Sequence, residues 1–294
     1  MKELKGKNVL VTGGSRGLGP LIAHALAARG ANVAVAARSR GPLERVSREI
    51  IDRHQVTGVA VAADLGTAEG REQVVAAARD ALGSIDVLVN NAGIEWVARY
   101  PEIDPATIER VVATNLLAPM LLTRLVLPEM IARGSGHVVT VSSMAGKKGP
   151  PYAASYAATK AGINEWSGAL RTELRGTGVG VSLVAPGFVA EAGMFAVYQR
   201  RAPWIAGESK PEKVAAAVVR AITRDRAEIL VNPGPVRLML VVDALSPRLV
   251  TWLYHKGGVH RFYREQAEIN ARQLEEQGEP TSGDGGDAEP DRDR

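Results

Sequence analysis

The chain contains no cysteine, which excludes disulfides, thiol catalysis and thiolate metal sites. Its histidines, His24, His54, His137, His255 and His260, are scattered without metal-ligand spacing, so no metal is expected. Aromatic residues are scarce, at 4%. No Lys/Arg-rich run with interleaved aromatics occurs, and nucleic acid is not an expected partner. Apolar runs in 235–264 are broken by Arg237, Asp243 and Pro247, and none approaches the ~20 residues of a membrane span. The opening MKELKGKNVLVTGG has no apolar signal-peptide core, so secretion is not expected and a cytoplasmic location is.

What remains is a globular composition: 294 residues, 46% hydrophobic and 23% charged. That length buries a full core. Charge is unevenly spread. Residues 276–294 hold Glu276, Glu279, Asp284, Asp287, Glu289, Asp291 and Asp293 against Arg292 and Arg294, a net of −5 that leaves +9 on the remainder of a chain totalling +4. A moderately basic body suits an anionic ligand such as a nucleotide. The stretch 276–294, rich in Gly, Pro, Asp and Glu without aromatics, reads as a disordered tail.

Short β-branched runs alternate with helical patterns: strands at 8–12, 31–37, 56–63, 85–89, 137–142, 179–184 and 228–231, with helices between them. Buried, non-alternating strands separated by helices predict an α/β fold, a doubly wound parallel sheet of Rossmann type. No repeat or linker interrupts residues 1–233. One dinucleotide-binding domain is expected there, followed by a helical extension at 234–275.

Two local patterns carry chemistry. Between the first strand and first helix lies Thr12-Gly13-Gly14-Ser15-Arg16-Gly17-Leu18-Gly19. Gly13 permits a tight turn, and Gly17 lets backbone approach a pyrophosphate that the helix N-terminus then favours. Further on, Ser142 and Ser143 precede Tyr156, with Lys160 four residues after the tyrosine. Four residues is about one helical turn, so both side chains share a face. An ammonium beside a phenol favours the phenolate, which predicts a lowered Tyr156 pKa and a general acid/base near neutral pH.

With these motifs in order, the sequence resembles the short-chain dehydrogenase/reductase family, single-domain Tyr-x-x-x-Lys branch, over roughly residues 5–233. The resemblance rests on TGGSRGLG at 12–19, Asp64, NNAG at 90–93, Asn115, Ser143, Tyr156-x-x-x-Lys160 and Pro186-Gly187. It implies an oxidoreductase that interconverts a carbonyl and a hydroxyl. Tyr156 would move the proton on the substrate oxygen, Ser143 would hold that oxygen, and Lys160 would lower the Tyr156 pKa and bond the nicotinamide ribose. Asn115 would sit in a kinked helix and anchor a water that links Lys160 to solvent.

The resemblance also implies the cofactor contacts. Gly13, Ser15, Arg16, Gly17, Leu18 and Gly19 would cradle the pyrophosphate side. Asp64 and Leu65 would meet the adenine, and Asn91, Ala92 and Gly93 the adenosine ribose. NAD-preferring relatives carry an acid after the second strand. Here Ala36-Ala37-Arg38 stands instead, so Arg38, with Arg16, points to the 2′-phosphate of NADP(H). Near the nicotinamide, Pro186, Gly187 and Val189 are expected. Glu191 stands where the family often has threonine, and its role is left open between the nicotinamide and solvent.

The expected substrate side comprises Ile94, Glu95, Trp96, Met144, Ala145, Tyr152, Phe188, Met194, Phe195 and Trp204, which suggests a lipophilic carbonyl or alcohol. Residues 235–264 read as two short amphipathic helices that lie on a membrane surface, cap the active site or pack on a second subunit. The family analogy implies a homodimer or homotetramer through helices at about 106–132 and 155–175. The reading from another class is a catalytically silent dinucleotide-binding regulator or scaffold of the same fold.

Overall fold

A computed structural model of the chain describes residues 1–277. Seven strands form one wholly parallel sheet: β1 (Asn8–Thr12), β2 (Asn32–Ala37), β3 (Gly58–Ala62), β4 (Val87–Asn90), β5 (Gly136–Val141), β6 (Val179–Pro186) and, after two short strands outside it, β9 (Glu228–Val231). The short pair is β7 (Phe188–Val189) and β8 (Glu208–Ser209). Strand order is β3-β2-β1-β4-β5-β6-β9. The chain winds outward from β1 to β3 and returns to start again at β4. The crevice between β1 and β4 is therefore a switch point, where open sheets of this kind bind ligands at the carboxyl ends of their strands.

Both faces are covered. Helices α1 (Leu18–Ala27), α2 (Arg40–His54) and, late in the chain, α7 (Pro211–Thr223) bury Ile22, Leu26, Leu43, Ile50 and Val218 against Val9, Val11, Val33 and Val35. On the other face, α3 (Ala68–Leu82) and α5 (Ala118–Ala132) pack Val74, Leu122, Val126 and Met130 on Leu10, Ala34, Leu88 and Val138. Neighbouring strand residues thus go to opposite faces, and every face is apolar.

The long helix expected from Pro105 is broken. It begins as α4 (Pro105–Val112), passes through a π-helical turn (Ala113–Leu117) and resumes as α5. Asn115 stands in that turn, the place where a kink was expected; π turns of this kind widen the ladder locally. Taken together, Pro105–Ala132 is long and apolar enough to cross a membrane, but Leu122, Val126 and Met130 are buried against the sheet. The helix α6 (Ala154–Glu173) then carries Tyr156 and Lys160.

The extension differs from the two helices expected. It forms three, α8 (Val236–Leu245), α9 (Pro247–Lys256) and α10 (Val259–Gln277). Val259, Phe262, Tyr263 and Ala267 of α10 bury against Val97, Ala153 and Tyr156 as a third apolar cluster. These contacts make α10 a cap over Tyr156. Glu276 and Gln277 of the expected tail close α10, and residues 278–294 lie outside the described residues.

Candidate active site

Strand β5 ends in Val141, and Ser142 and Ser143 follow at the carboxyl edge of the sheet. Ser142 is buried and spent on structure: its hydroxyl donates to Asn164 Oδ1 at 2.6 Å, and Asn164 in turn donates to the Gly146 carbonyl at 3.0 Å. Ser143 starts the short turn Met144–Gly146, with its Oγ accepting from the Ala145 N–H at 3.1 Å. Tyr156 and Lys160 rise from one face of α6, both buried, with Lys160 Nζ 5.7 Å from the centre of the Tyr156 ring. Lys160 Nζ also donates to the Val141 carbonyl at 3.1 Å, which ties the lysine to the end of β5.

Asn115 is 2% exposed, and its amide is fully engaged. Oδ1 accepts from the Ile94 N–H at 2.8 Å, while Nδ2 donates to the Ile94 carbonyl at 2.8 Å and to Thr159 Oγ1 at 3.2 Å. The side chain therefore clamps the loop after β4 to α6. That loop carries Glu95, whose Oε2 accepts from the Tyr198 hydroxyl at 2.9 Å.

The electrostatics depart from the expected lowering of Tyr156. Burial first, and then the negative charge of Glu95, push the phenol well above its ordinary value, although the Ser143 hydroxyl beside it acts the other way. Burial draws Lys160 down to about 8, against the pull of Glu95. Burial also pushes Glu95 up to about 7, opposed by its bond from Tyr198 and the charge of Lys160. Desolvation exceeds charge pairing because no ion pair closes within this group.

The glycine loop fits a dinucleotide phosphate. Gly17 has φ +64° and precedes α1, whose first turn carries no acid and no side-chain cap. The Gly19 N–H closes a turn on the Arg16 carbonyl at 3.3 Å, and the uncapped, acid-free N-terminus around it suits a phosphate. A Cβ on Gly19 would fall 1.9 Å from the Gly13 carbonyl oxygen, so the loop closes on the helix only with glycine there. Asn91 holds the loop from the other side, its Nδ2 donating to the Thr12 carbonyl at 3.0 Å and the Gly13 carbonyl at 3.3 Å. Thr12 Oγ1 accepts from the N–H groups of Asn91 and Ala92, each at 3.0 Å. A Cβ on Gly93 would come within 3.3 Å of Asn115 Oδ1. Exposed Arg16 and Arg38, half-buried Ser15 and exposed Asp64 lie along the same sheet edge. Asp64 Oδ1 accepts from the Gly66 N–H at 2.8 Å. Buried Leu65 gives its carbonyl to Arg71 Nη1 at 2.9 Å.

One cavity gathers much of this set. Leu18, Asn91, Ser143, Tyr156, Lys160, Pro186, Gly187 and Val189 all line it. So do Glu95, Met144, Ala145, Phe188, Met194 and Phe195 from the expected substrate side. Four members of that side do not. Trp204 is 81% exposed. Tyr152 packs edge-on against His260, with ring centres 5.6 Å apart, in a neighbouring depression. Ile94, whose main chain Asn115 holds, and Trp96, whose buried indole N–H has no partner among the described residues, are absent from the lining. Glu191 is exposed at φ +62° and outside the cavity lining, which resolves its position in favour of solvent. Sequence reasoning missed Tyr198, Tyr254 and Tyr263, which complete the roof. Their signal was an aromatic concentration late in a chain otherwise poor in aromatics.

Comparison with known proteins agrees with this geometry. A family model described as short chain dehydrogenase matches residues 7–202. The chain is 42% identical over 276 residues to the ketoacyl reductase HetN of Nostoc sp., covering 91% of this chain and 95% of that one. It is 32% identical to a very-long-chain 3-oxoacyl-CoA reductase of Bos taurus, over 85% of this chain and 78% of the other. Among solved structures, a metagenomic short-chain oxidoreductase in complex with NADP superposes with TM-score 0.67 at 36% identity, covering 79% of this chain and 98% of that one. An actinorhodin polyketide ketoreductase variant with NADPH gives TM-score 0.71 at 30% identity, over 79% and 97%. With the parallel sheet, the glycine loop and the Ser143, Tyr156 and Lys160 cluster in place, the chain belongs to the short-chain dehydrogenase family of oxidoreductases.

Proposed function

We propose that this protein is an NADP(H)-dependent oxidoreductase that interconverts a carbonyl and a hydroxyl on a lipophilic small molecule, with Tyr156 as general acid/base. The observation that carries the reading is convergence: Ser143, Tyr156 and Lys160 face one cavity with the glycine-loop residue Leu18, under apolar walls from Met144, Phe188 and Phe195. NADP(H) would lie across the β1–β4 switch point, held by the backbone of Gly13–Gly19, by Asn91 and by Val189, with Arg16 and Arg38 at the 2′-phosphate. When bound, it supplies or accepts the hydride. Relatives named as reductases of ketoacyl and oxoacyl compounds favour a ketone on an acyl chain.

The chain's own groups do the rest. In reduction, Ser143 Oγ donates to the substrate carbonyl oxygen and holds it beside Tyr156. The raised phenol pKa keeps Tyr156 protonated at neutral pH, so it gives its proton to that oxygen. Lys160, largely ammonium below pH 8, restores the proton through its neighbourhood to the phenol. Asn115 keeps the loop after β4 in place rather than touching substrate. Orientation in a dry, shaped cavity supplies the remainder. The test is NADPH oxidation over a panel of lipophilic ketones, read at the nicotinamide absorbance. Turnover that Tyr156→Phe abolishes is the expected result. NADPH binding without turnover of any ketone would instead favour the silent dinucleotide-binding regulator.

We further propose a cytoplasmic enzyme that touches a membrane surface through α8 and α9. Leu238, Val241, Leu245 and Trp252 are exposed there, with Arg237, Arg248 and Lys256 exposed beside them. Such a face suits anionic lipid. Flotation with anionic liposomes, compared with neutral ones, tests it; equal recovery in both removes the idea. A homodimer or homotetramer through α5 and α6 is also proposed, since Leu117 and Ile131 leave apolar surface outside the fold. Sedimentation of a monomer would remove it.

A further inference from the structure

Glu95 is the acid among the described residues that lines the cavity, and its surroundings are otherwise mostly apolar. The residue is half-buried, and a carboxyl largely withdrawn from water without an ion pair is costly to the fold. Its geometry is nevertheless well determined. Asn115 bonds both the N–H and the carbonyl of the preceding Ile94, so the main chain that launches the Glu95 side chain cannot drift. From the roof, Tyr198 donates to Oε2 at 2.9 Å. Tyr198 is fixed in turn by packing on Phe195 and Phe262, with ring centres 6.3 Å away in each case. Oε1 accepts no hydrogen bond from any described residue. The carboxyl is thus oriented by two supports and has one acceptor left over, in the same cavity as Ser143 and Tyr156.

We propose that Glu95, held by Tyr198, forms a second polar subsite, which takes a hydrogen-bond-donating hydroxyl carried by the substrate near its reacting carbonyl. This rests on the reading of the cavity as a carbonyl–hydroxyl oxidoreductase site. The preferred substrate is then a hydroxylated lipophilic ketone. A compound with an ether or plain methylene at that place shuts the acceptor off from water without pairing it and is selected against. A carboxylate there would meet like charge and be excluded. With Glu95 titrating at about 7, its acceptor form predominates at pH 8, which sets the condition for the test.

The experiment uses three matched probes: an aryl alkyl ketone, its analogue with a hydroxyl two carbons from the carbonyl, and the methyl ether of that hydroxyl. Values of kcat/KM with NADPH at pH 8 are compared within each of the unmutated protein, Glu95→Leu, Glu95→Gln and Tyr198→Phe. Ratios within one variant cancel any general loss of activity. The hydroxy ketone should exceed the ether roughly ten- to a hundredfold in the unmutated protein, and Glu95→Leu should level the two. Tyr198→Phe should reduce the ratio by freeing the carboxyl to rotate. If Glu95→Leu does not fold, Glu95→Gln decides, because a neutral amide of the same shape should cut the preference severalfold. An unmutated protein that does not separate hydroxy ketone from ether overturns the proposal, as does a preference that survives at Glu95→Leu and Glu95→Gln. Calorimetric titration of the three probes separates this proposal from the reading beneath it. A Glu95-dependent binding preference without turnover keeps the subsite and removes the oxidoreductase. Turnover without preference does the reverse.

Discussion

All six residues of β5 are buried, and it pairs along its length with β4 and β6. The roof segment from 190 to 207 has two-residue strands at its borders, one short helical turn, and residues Val197 and Trp204 exposed at 78% and 81%. Both regions touch the same substrate space. The sheet reaches it through Ser143, at the end of a strand held by backbone bonds on both sides. The roof reaches it through Phe195, packed edge-on against Phe188 and Tyr198, and through Tyr198, tilted against Phe262. Few backbone bonds and a high share of side-chain packing mark the low-stability end of a structure. The sheet therefore fixes where chemistry happens, and the roof decides what may enter.

The largest expected effect falls on the sheet side. Tyr156→Phe removes only a hydroxyl from a buried ring, so fold and NADPH binding should persist while turnover falls roughly 10²- to 10⁴-fold. Steady-state rates and fluorescence titration of NADPH check both halves. If Phe262→Ala in the roof lost as much in kcat as Tyr156→Phe, the division of labour between the regions would break.

A matched pair of cavities sharpens the same contrast. Met130→Ala and Phe262→Ala each delete a buried side chain, which costs about 2–5 kcal/mol. For Met130, which α5 packs on the sheet, that loss should appear in the global urea midpoint. In the roof it should appear chiefly as faster hydrogen exchange in 190–207 and α8–α10 and as a raised KM. Equal loss of protection in β1, β4 and β5 after Phe262→Ala would mean that the roof and the sheet unfold as one unit.

Acid separates the regions by sign. Burial lowers His137 of β5 to about 4, while its ring bonds Ser182 Oγ at 2.8 Å. Between about pH 4 and 6.5 the unfolded chain binds more protons at this residue, so its contribution, up to about 3 kcal/mol, is present above 6.5 and lost as pH falls toward 4. Glu95, raised to about 7, behaves oppositely: its contribution is present below about 4.5 and lost as pH rises through 7. Urea midpoints at pH 5 and 7 should therefore shift in opposite directions for His137→Gln and Glu95→Gln, relative to the unmutated protein. Shifts of the same sign would show that one of these burials is absent in solution.

The same divide explains what could be read from the sequence. The runs NVLVT, NVAVAA and HVVTV are aliphatic and β-branched, and TGGSRGLG joins strand to helix in a way few other folds need, so sheet, winding and glycine loop were legible. The Tyr156–Lys160 pair followed from one helical turn. The direction of the Tyr156 pKa did not, because it depends on burial under α10 and on Glu95, which is 61 positions away by number and adjacent only after folding. The third helix of the extension and the aromatic contacts of Tyr198 and Tyr263 were hidden for the same reason. Trp204 misled because a large aromatic near apolar neighbours reads as a lining residue, whereas the turn that carries it faces outward.

The smallest expected effect lies at the far end of the sheet edge, away from the roof. Arg38 follows β2 and is exposed, near the exposed Arg16 of the glycine loop. Two guanidinium groups there favour a phosphate over a hydroxyl on the adenine ribose. NADPH should bind more tightly than NADH, and Arg38→Asp should flatten or reverse that order by roughly tenfold, the worth of about 1.4 kcal/mol. Because the surrounding surface is wet and screened, the preference should also shrink as salt rises. Fluorescence titration with both dinucleotides at low and high salt measures it. Equal affinities in the unmutated protein would remove Arg38 from cofactor choice, whereas a preference changed equally by Tyr198→Phe would mean that the roof reaches further along the sheet edge than its contacts indicate.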